Sequence, residues 1–190
     1  MPLPEPQASR RPLHRRTIEI VGYKRDDGLY DIEGRLLDRK DVEFPVGGRV
    51  KPPGEPVHDM WLRITVDREL RIVDAQASTD AMPYQDECDR IAPDYARLVG
   101  LSIGPGYLRH LKERLGGVHG CTHITELAAS LATAAFQTFA GQGLAPPERR
   151  PPQLDRCHAL DSHGPVVARF YPRWYRGAAP VDGAGPTENH

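Results

Sequence analysis

The sequence predicts an α+β fold with helices on one face of a mostly antiparallel sheet. Polar and apolar residues alternate before Ala77, and apolar residues recur every three or four positions after Asp86. Alternation is typical of half-buried strands, and the longer period is typical of amphipathic helices. Because the strands precede the helices along the chain, an antiparallel sheet is favoured over a parallel one.

Four segments in the first half are predicted as strands that form two hairpins. They are residues 17–23, 29–37, 60–66 and 70–77. Asp26-Asp27-Gly28 is a turn signal within the first hairpin. Residues 44–56 are rich in Pro and Gly and are expected to form the loop between the hairpins.

Three segments in the second half are predicted as helices. They are a short helix over residues 91–99, a helix over residues 107–115, and the longest helix from about Thr122 to Phe139. Ile124, Leu127, Leu131 and Phe136 are expected to pack the longest helix on the sheet. Residues 165–170 are predicted as one further strand.

Pro- and Gly-rich segments divide the chain into four parts. The prediction is a disordered tail (1–16), an α+β core domain (17–144), a Pro-rich linker with a docked C-terminal strand (145–176) and a second disordered tail (177–190). The length of 190 residues suits one core with tails rather than two full domains.

Composition argues against several classes of partner. Lys and Arg number 25 against 26 for Asp and Glu, so no general attraction to nucleic acid or anionic lipid is expected. No apolar run reaches the roughly 20 residues that span a bilayer, so we expect no membrane partner and a cytoplasmic protein. The glycines between Gly100 and Gly106 match neither nucleotide-binding spacing, so no nucleotide cofactor is expected.

Cysteine and histidine positions suggest chemistry. Three widely spaced cysteines, Cys88, Cys121 and Cys157, favour reduced thiols over disulfides. Cys121 should lie just outside the start of the longest helix with Thr122 as its N-cap, where the helix dipole favours a thiolate. His123 can share a metal with Cys121 or act as its base, although a small buried cysteine and a surface histidine fit the spacing equally well.

Residues 54–139 resemble the scaffold family of iron–sulfur cluster assembly, of the IscU or NifU N-terminal type. The resemblance rests on Gly54-Glu55-Pro56-Val57-His58-Asp59, on Ile72-Val73-Asp74-Ala75, and on Gly120-Cys121 before an Ala-rich helix. It implies an IscU-like fold in which His58 and Cys121 match the first and third ligand cysteines. Cys88 falls several residues after the second, and Asp59 falls one position before the aspartate of the family.

The chain also resembles, over nearly its full length, an uncharacterised bacterial family with a domain of unknown function. This resemblance rests on Asp31-Ile32-Glu33-Gly34, on His58-Asp59-Met60-Trp61-Leu62, on Gly120-Cys121-Thr122-His123 and on the aromatic segment 171–175. It implies no activity.

Two functional hypotheses follow for a metal ion or small-molecule partner. In the first, His58, Cys88 and Cys121 bind zinc or iron, and His123 or Asp59 completes the shell. The protein would then be a carrier or a metal-dependent protein. In the second, a metal-free enzyme uses Cys121 as nucleophile, His123 as base and Glu126 to orient the base.

Overall fold

A four-stranded antiparallel sheet forms the centre of the first part of the chain. The computed structural model describes residues 3–140, 142, 148 and 150–177, and it divides into one unit up to Ala140 and another from Gly141. The strands are β1 (His14–Lys24), β2 (Tyr30–Lys40), β3 (Phe44–Val46), β4 (Arg49–Lys51), β5 (Pro56–Val66) and β6 (Ile72–Ala81). The main sheet has the order β1-β2-β5-β6, while β3 and β4 form a separate small hairpin.

The alternation along β2 defines the two faces of the sheet. Tyr30, Ile32 and Leu36 are buried on one face, and the intervening side chains are half-buried on the other. A Cβ atom at Gly34 would lie under 3.0 Å from the side chains of Leu127 and Leu131, so glycine here lets the covering helix approach the strand closely.

Helices cover the buried face of this sheet, which confirms the predicted α+β class. The 3₁₀ segment Ala92–Leu98 packs on β6, helix α2 (Thr122–Phe139) lies on the sheet, and helix α1 (Tyr107–Leu115) packs on α2 and on the 3₁₀ segment. Helix α2 packs on β1, β2 and β5. Its buried side chains are Ile124, Leu127, Ala128, Leu131, Ala132 and Ala135.

Several predicted details are wrong. Phe136 lies beside the buried stripe rather than on it and is 39% exposed. Strand β1 begins at His14, so residues 14–16 belong to the sheet rather than to a tail. Residues 44–56 contain β3 and β4 in addition to turns. Cys121, rather than Thr122, is the N-cap of α2.

The second unit is helical where a strand was predicted. Residues 165–170 form helix α3 (Pro165–Phe170), in which Pro165 occupies the first turn. A proline there needs no backbone hydrogen-bond donor, and its fixed φ is helical. Residues 178–190 of the predicted C-terminal tail, and residues 145–147 and 149 of the predicted linker, lie outside the described residues.

Membrane-spanning helices are absent from the described part of the chain, since none of its helices combines sufficient length with sufficient apolar character.

Candidate functional site

Strand register places a row of polar residues on the helix-covered face of the sheet. Arg16 on β1 is the cross-strand partner of Asp38 on β2, and His58 on β5 is the partner of Asp38 on the other side. Asp38 has the same parity as the buried apolar residues of β2, so its side chain points towards the core. The antiparallel pairing therefore brings three polar side chains together from three strands.

Asp38 is the buried centre of this row. Its Oδ1 accepts hydrogen bonds from His14 Nε2 at 3.0 Å and Arg16 Nε at 2.8 Å. Its Oδ2 accepts from Arg16 Nη2 at 2.8 Å and lies 3.0 Å from His58 Nδ1. These four contacts fill the roughly four lone-pair positions of a carboxylate.

The environment keeps Asp38 ionised. Burial opposes the charged form, but the hydrogen bonds from Arg16 and His14, together with the charge of Arg16, hold the Asp38 pKa well below its usual range. The same pairing raises the pKa of Arg16, so that the ion pair is fully charged at neutral pH. The site thus contains a buried carboxylate anion surrounded by a guanidinium and imidazole groups.

The first turn of α2 covers this row. The His123 ring lies against the His58 ring, with centroids 3.7 Å apart, and His123 Nε2 lies 3.7 Å from Asp38 Oδ2. One turn along the helix, Glu126 accepts a hydrogen bond from Arg16 Nη1. The helix is therefore joined to β1 by an ion pair directly beside the two imidazoles.

Both imidazoles favour their neutral forms. Burial lowers the pKa of His58 below its ordinary value, although its bond to Asp38 opposes the shift. Burial also lowers the pKa of His123, and the neighbouring His58 and Arg16 add to the effect. Neutral imidazole is the form that binds a metal ion or accepts a proton.

Asp38, His58 and His123 form a candidate metal-binding group. Each offers one ligand atom, and the three atoms lie within 4.8 Å of one another. Among the described residues this is the one group of three or more His, Cys, Asp or Glu side chains that meets this criterion. Of the sequence-predicted ligands, the structure therefore brings His58 and His123 together.

Cys121 lies on the other side of His123. Its Sγ is 3.9 Å from His123 Nδ1 and 3.8 Å from Met60 Sδ. Tyr95 holds the backbone here, since its hydroxyl accepts from the Cys121 N–H at 3.0 Å and lies 2.8 Å from the Cys121 carbonyl oxygen. Burial raises the pKa of Tyr95 to about 12, so this hydroxyl keeps its proton.

The remaining predicted site residues lie elsewhere or have other partners. Asp59 is on the opposite face of the sheet from His58, because adjacent strand residues alternate, and Arg35 binds its carboxylate at 2.6 and 2.8 Å. Cys88 is half-buried in an irregular segment after β6 and does not join the metal-binding group. The carboxylate of Glu126 binds Arg16 rather than orienting His123.

Three residues of the site, His14, Arg16 and Asp38, were not predicted from the sequence. His14 and Arg16 fall in the segment predicted as a tail. The position of Asp38 could have been predicted from the sequence. It lies an even number of residues after Tyr30 and Ile32 on the same strand, so its side chain points to the same buried face. A carboxylate at a core-facing position needs buried partners, and that requirement identifies a polar cluster.

The fold and the site describe an α+β domain with a buried His/Asp cluster under one helix. Residues 14–137 match the family described as Protein of unknown function (DUF2889), and the chain belongs to this family. The matched range includes every residue of the cluster. No curated protein and no solved structure matches the sequence. The resemblance to iron–sulfur scaffolds stays a prediction.

Proposed function

We propose that this DUF2889 domain binds a divalent transition metal ion, zinc or iron, through His58, His123 and Asp38. The observation that carries the proposal is the convergence of Asp38 Oδ2 with His58 Nδ1 at 3.0 Å and His123 Nε2 at 3.7 Å. Two histidines and one carboxylate are a ligand set that suits iron(II), and zinc accepts the same atoms.

The surroundings of the three residues support this function. Metal binding requires deprotonated ligands, and the lowered pKa values of both imidazoles and of Asp38 favour those forms. Arg16 and His14 donate hydrogen bonds to Oδ1 of Asp38, the carboxylate oxygen that does not face the two histidine ligands. Such hydrogen bonds orient the ligands of a metal site. The ion would take the place of the proton between His58 and Asp38.

Three protein ligands leave coordination positions open. A structural zinc site is normally closed by four protein ligands, whereas an open site admits water or a small molecule. The arrangement therefore supports a metal carrier or a metal-dependent reaction on a small substrate, in preference to a structural role.

Metal titration of the full chain, purified without a histidine tag, tests the proposal. We expect one Zn²⁺ or Co²⁺ per chain, with an affinity that falls about tenfold or more in His58→Gln and in His123→Gln. Saturating zinc should also raise the unfolding temperature of the wild type, because an ion that binds the folded state stabilises it.

Matched variants distinguish this site from the sequence-based alternative. His119→Gln removes an exposed histidine near the start of α2, and Cys88→Ser removes a ligand that the sequence predicted. Both should retain the wild-type affinity. A wild-type affinity that equals that of His58→Gln would contradict the proposal, and a loss confined to Cys88→Ser would favour the sequence-based ligand set.

One observation favours a second candidate, a metal-free enzyme with Cys121 as nucleophile and His123 as base. Cys121 Sγ lies 3.9 Å from His123 Nδ1, close enough for the imidazole to take the proton of the thiol. This candidate is favoured if the titration detects no metal and alkylation of Cys121 slows in His123→Gln. It is excluded if His123→Gln leaves the alkylation rate unchanged.

A further inference from the structure

We propose a second metal site, selective for monovalent copper, formed by Met60 Sδ, Cys121 Sγ and His123 Nδ1. The inference goes beyond the divalent site and does not depend on it, although both use the imidazole of His123. It rests on the thiol of Cys121, which lies beside both the thioether of Met60 and an imidazole nitrogen of His123.

The separations of Cys121 Sγ from the other two ligand atoms are those expected around one ion. Metal–ligand bonds of about 2.0 to 2.3 Å at trigonal or tetrahedral angles place neighbouring ligand atoms about 3.3 to 4.0 Å apart. Cys121 Sγ lies 3.8 Å from Met60 Sδ and 3.9 Å from His123 Nδ1, so both separations fall within that range. The thiol is the common neighbour of the two other ligands.

The chemistry of the ligands selects the ion. Thioether and thiolate sulfur are soft ligands that favour monovalent copper, whereas carboxylate oxygen favours harder divalent ions. Met60 is 1% exposed and occupies the core-facing position two residues after His58 on β5. Cys121 and His123 are half-buried, so part of each of these two side chains is accessible from solvent.

The ring of His123 separates the two sites. Its Nε2 faces Asp38 and its Nδ1 faces Cys121, and a neutral imidazole has only one nitrogen with a free lone pair. When Nδ1 binds copper, Nε2 carries the proton and points towards the Asp38 carboxylate. When Nε2 binds a divalent ion, Nδ1 carries the proton. Zinc and monovalent copper should therefore compete although their other ligands differ.

Anaerobic titration of the reduced, tag-free chain with Cu⁺ buffered by bicinchoninate tests this site. We expect one Cu⁺ per chain. X-ray absorption spectroscopy at the copper edge should detect two sulfur atoms bound to the ion. Met60→Leu keeps the volume of the buried side chain and should weaken Cu⁺ binding about tenfold or more while zinc affinity is retained. Cys121→Ser should have the same effect. Met82→Leu and Cys157→Ser should leave Cu⁺ affinity unchanged.

The outcomes separate this inference from the proposed function. The copper site is contradicted if Met60→Leu does not weaken Cu⁺ binding, or if the X-ray absorption spectrum lacks two sulfur neighbours. Either result leaves the proposal of a divalent metal site unaffected. Loss of zinc binding in His58→Gln with Cu⁺ affinity retained supports both sites. If the chain binds Cu⁺ but no zinc, the copper site is supported and the proposed function is contradicted.

Discussion

At the residue scale, Asp38 explains why this part of the sheet is polar. A buried carboxylate is costly unless it is paired and hydrogen-bonded, and Asp38 receives both kinds of compensation from Arg16. The guanidinium binds both carboxylate oxygens, which a lysine could not do in the same fixed geometry. The ion pair also fixes the position of His58 through its contact with Oδ2.

Asp38→Asn is expected to lower the free energy of unfolding by about 3 kcal/mol, because the partly buried Arg16 loses its two-point ion pair and keeps only the more exposed Glu126 as a partner. Urea unfolding of the metal-free protein measures this loss. Asp89→Asn removes the charge of an exposed aspartate and should change stability by no more than about 0.5 kcal/mol. Equal effects of the two substitutions would show that Asp38 has no special structural role.

At the scale of elements, α2 connects the core to the site. Its middle turns bury Leu127 and Leu131 against β2, where Gly34 permits close packing. Its first turn places His123 over the polar row, and the N-cap residue Cys121 lies beside His123. Packing of the middle of the helix therefore sets the depth at which its first turn approaches the sheet.

Leu131→Ala is expected to lower the free energy of unfolding by about 2 to 5 kcal/mol, because Leu131 is fully buried and its truncation leaves a cavity. Leu108→Ala is the matched control on α1. Leu108 is 61% exposed, and its truncation should cost no more than about 0.5 kcal/mol. Chemical denaturation compares the two, and a small cost at position 131 would contradict the packing of α2.

At the scale of the whole molecule, the site depends on the complete first unit. Its residues come from β1, β2, β5 and the first turn of α2, so the ligands meet only after the sheet has formed and the helix has docked. The protonation of the site is therefore coupled to global unfolding.

Stability should fall as the pH decreases from about 7 to 5. The pKa values of His58 and His123 are lowered in the folded state, so the unfolded chain binds protons more readily below its ordinary histidine pKa of about 6.5. The contribution of these two histidines to the free energy of unfolding is complete above that pH. It is lost as the pH falls through their lowered pKa values in the folded state. The lowered pKa of Asp38 adds a further loss below about pH 4.

Unfolding free energies measured across this range check the expectation. The double substitution His58→Gln and His123→Gln should flatten the decline between about pH 7 and 5, whereas His119→Gln should not. An unchanged slope in the double variant would mean that the two buried imidazoles do not couple to folding.

Local pattern was enough to predict the four strands of the main sheet and the two longer helices, but not the small β3–β4 hairpin or helix α3. Alternation and the 3.6-residue period depend only on neighbours along the chain, so four strands and the bounds of α1 and α2 follow from the sequence. The strand predicted over residues 165–170 failed because a run of six residues carries too little periodicity to separate a strand from a helix that starts with proline.

The sequence alone determined the α+β class and identified His58, Cys121 and His123 as residues able to carry chemistry, because residue type and position along a helix or strand are local properties. Only the tertiary structure decided which groups meet. Strand register placed Arg16 and His58 on either side of Asp38, and docking of α2 placed His123 above them. Register and docking depend on contacts between distant segments, and neither periodicity nor spacing specifies those contacts.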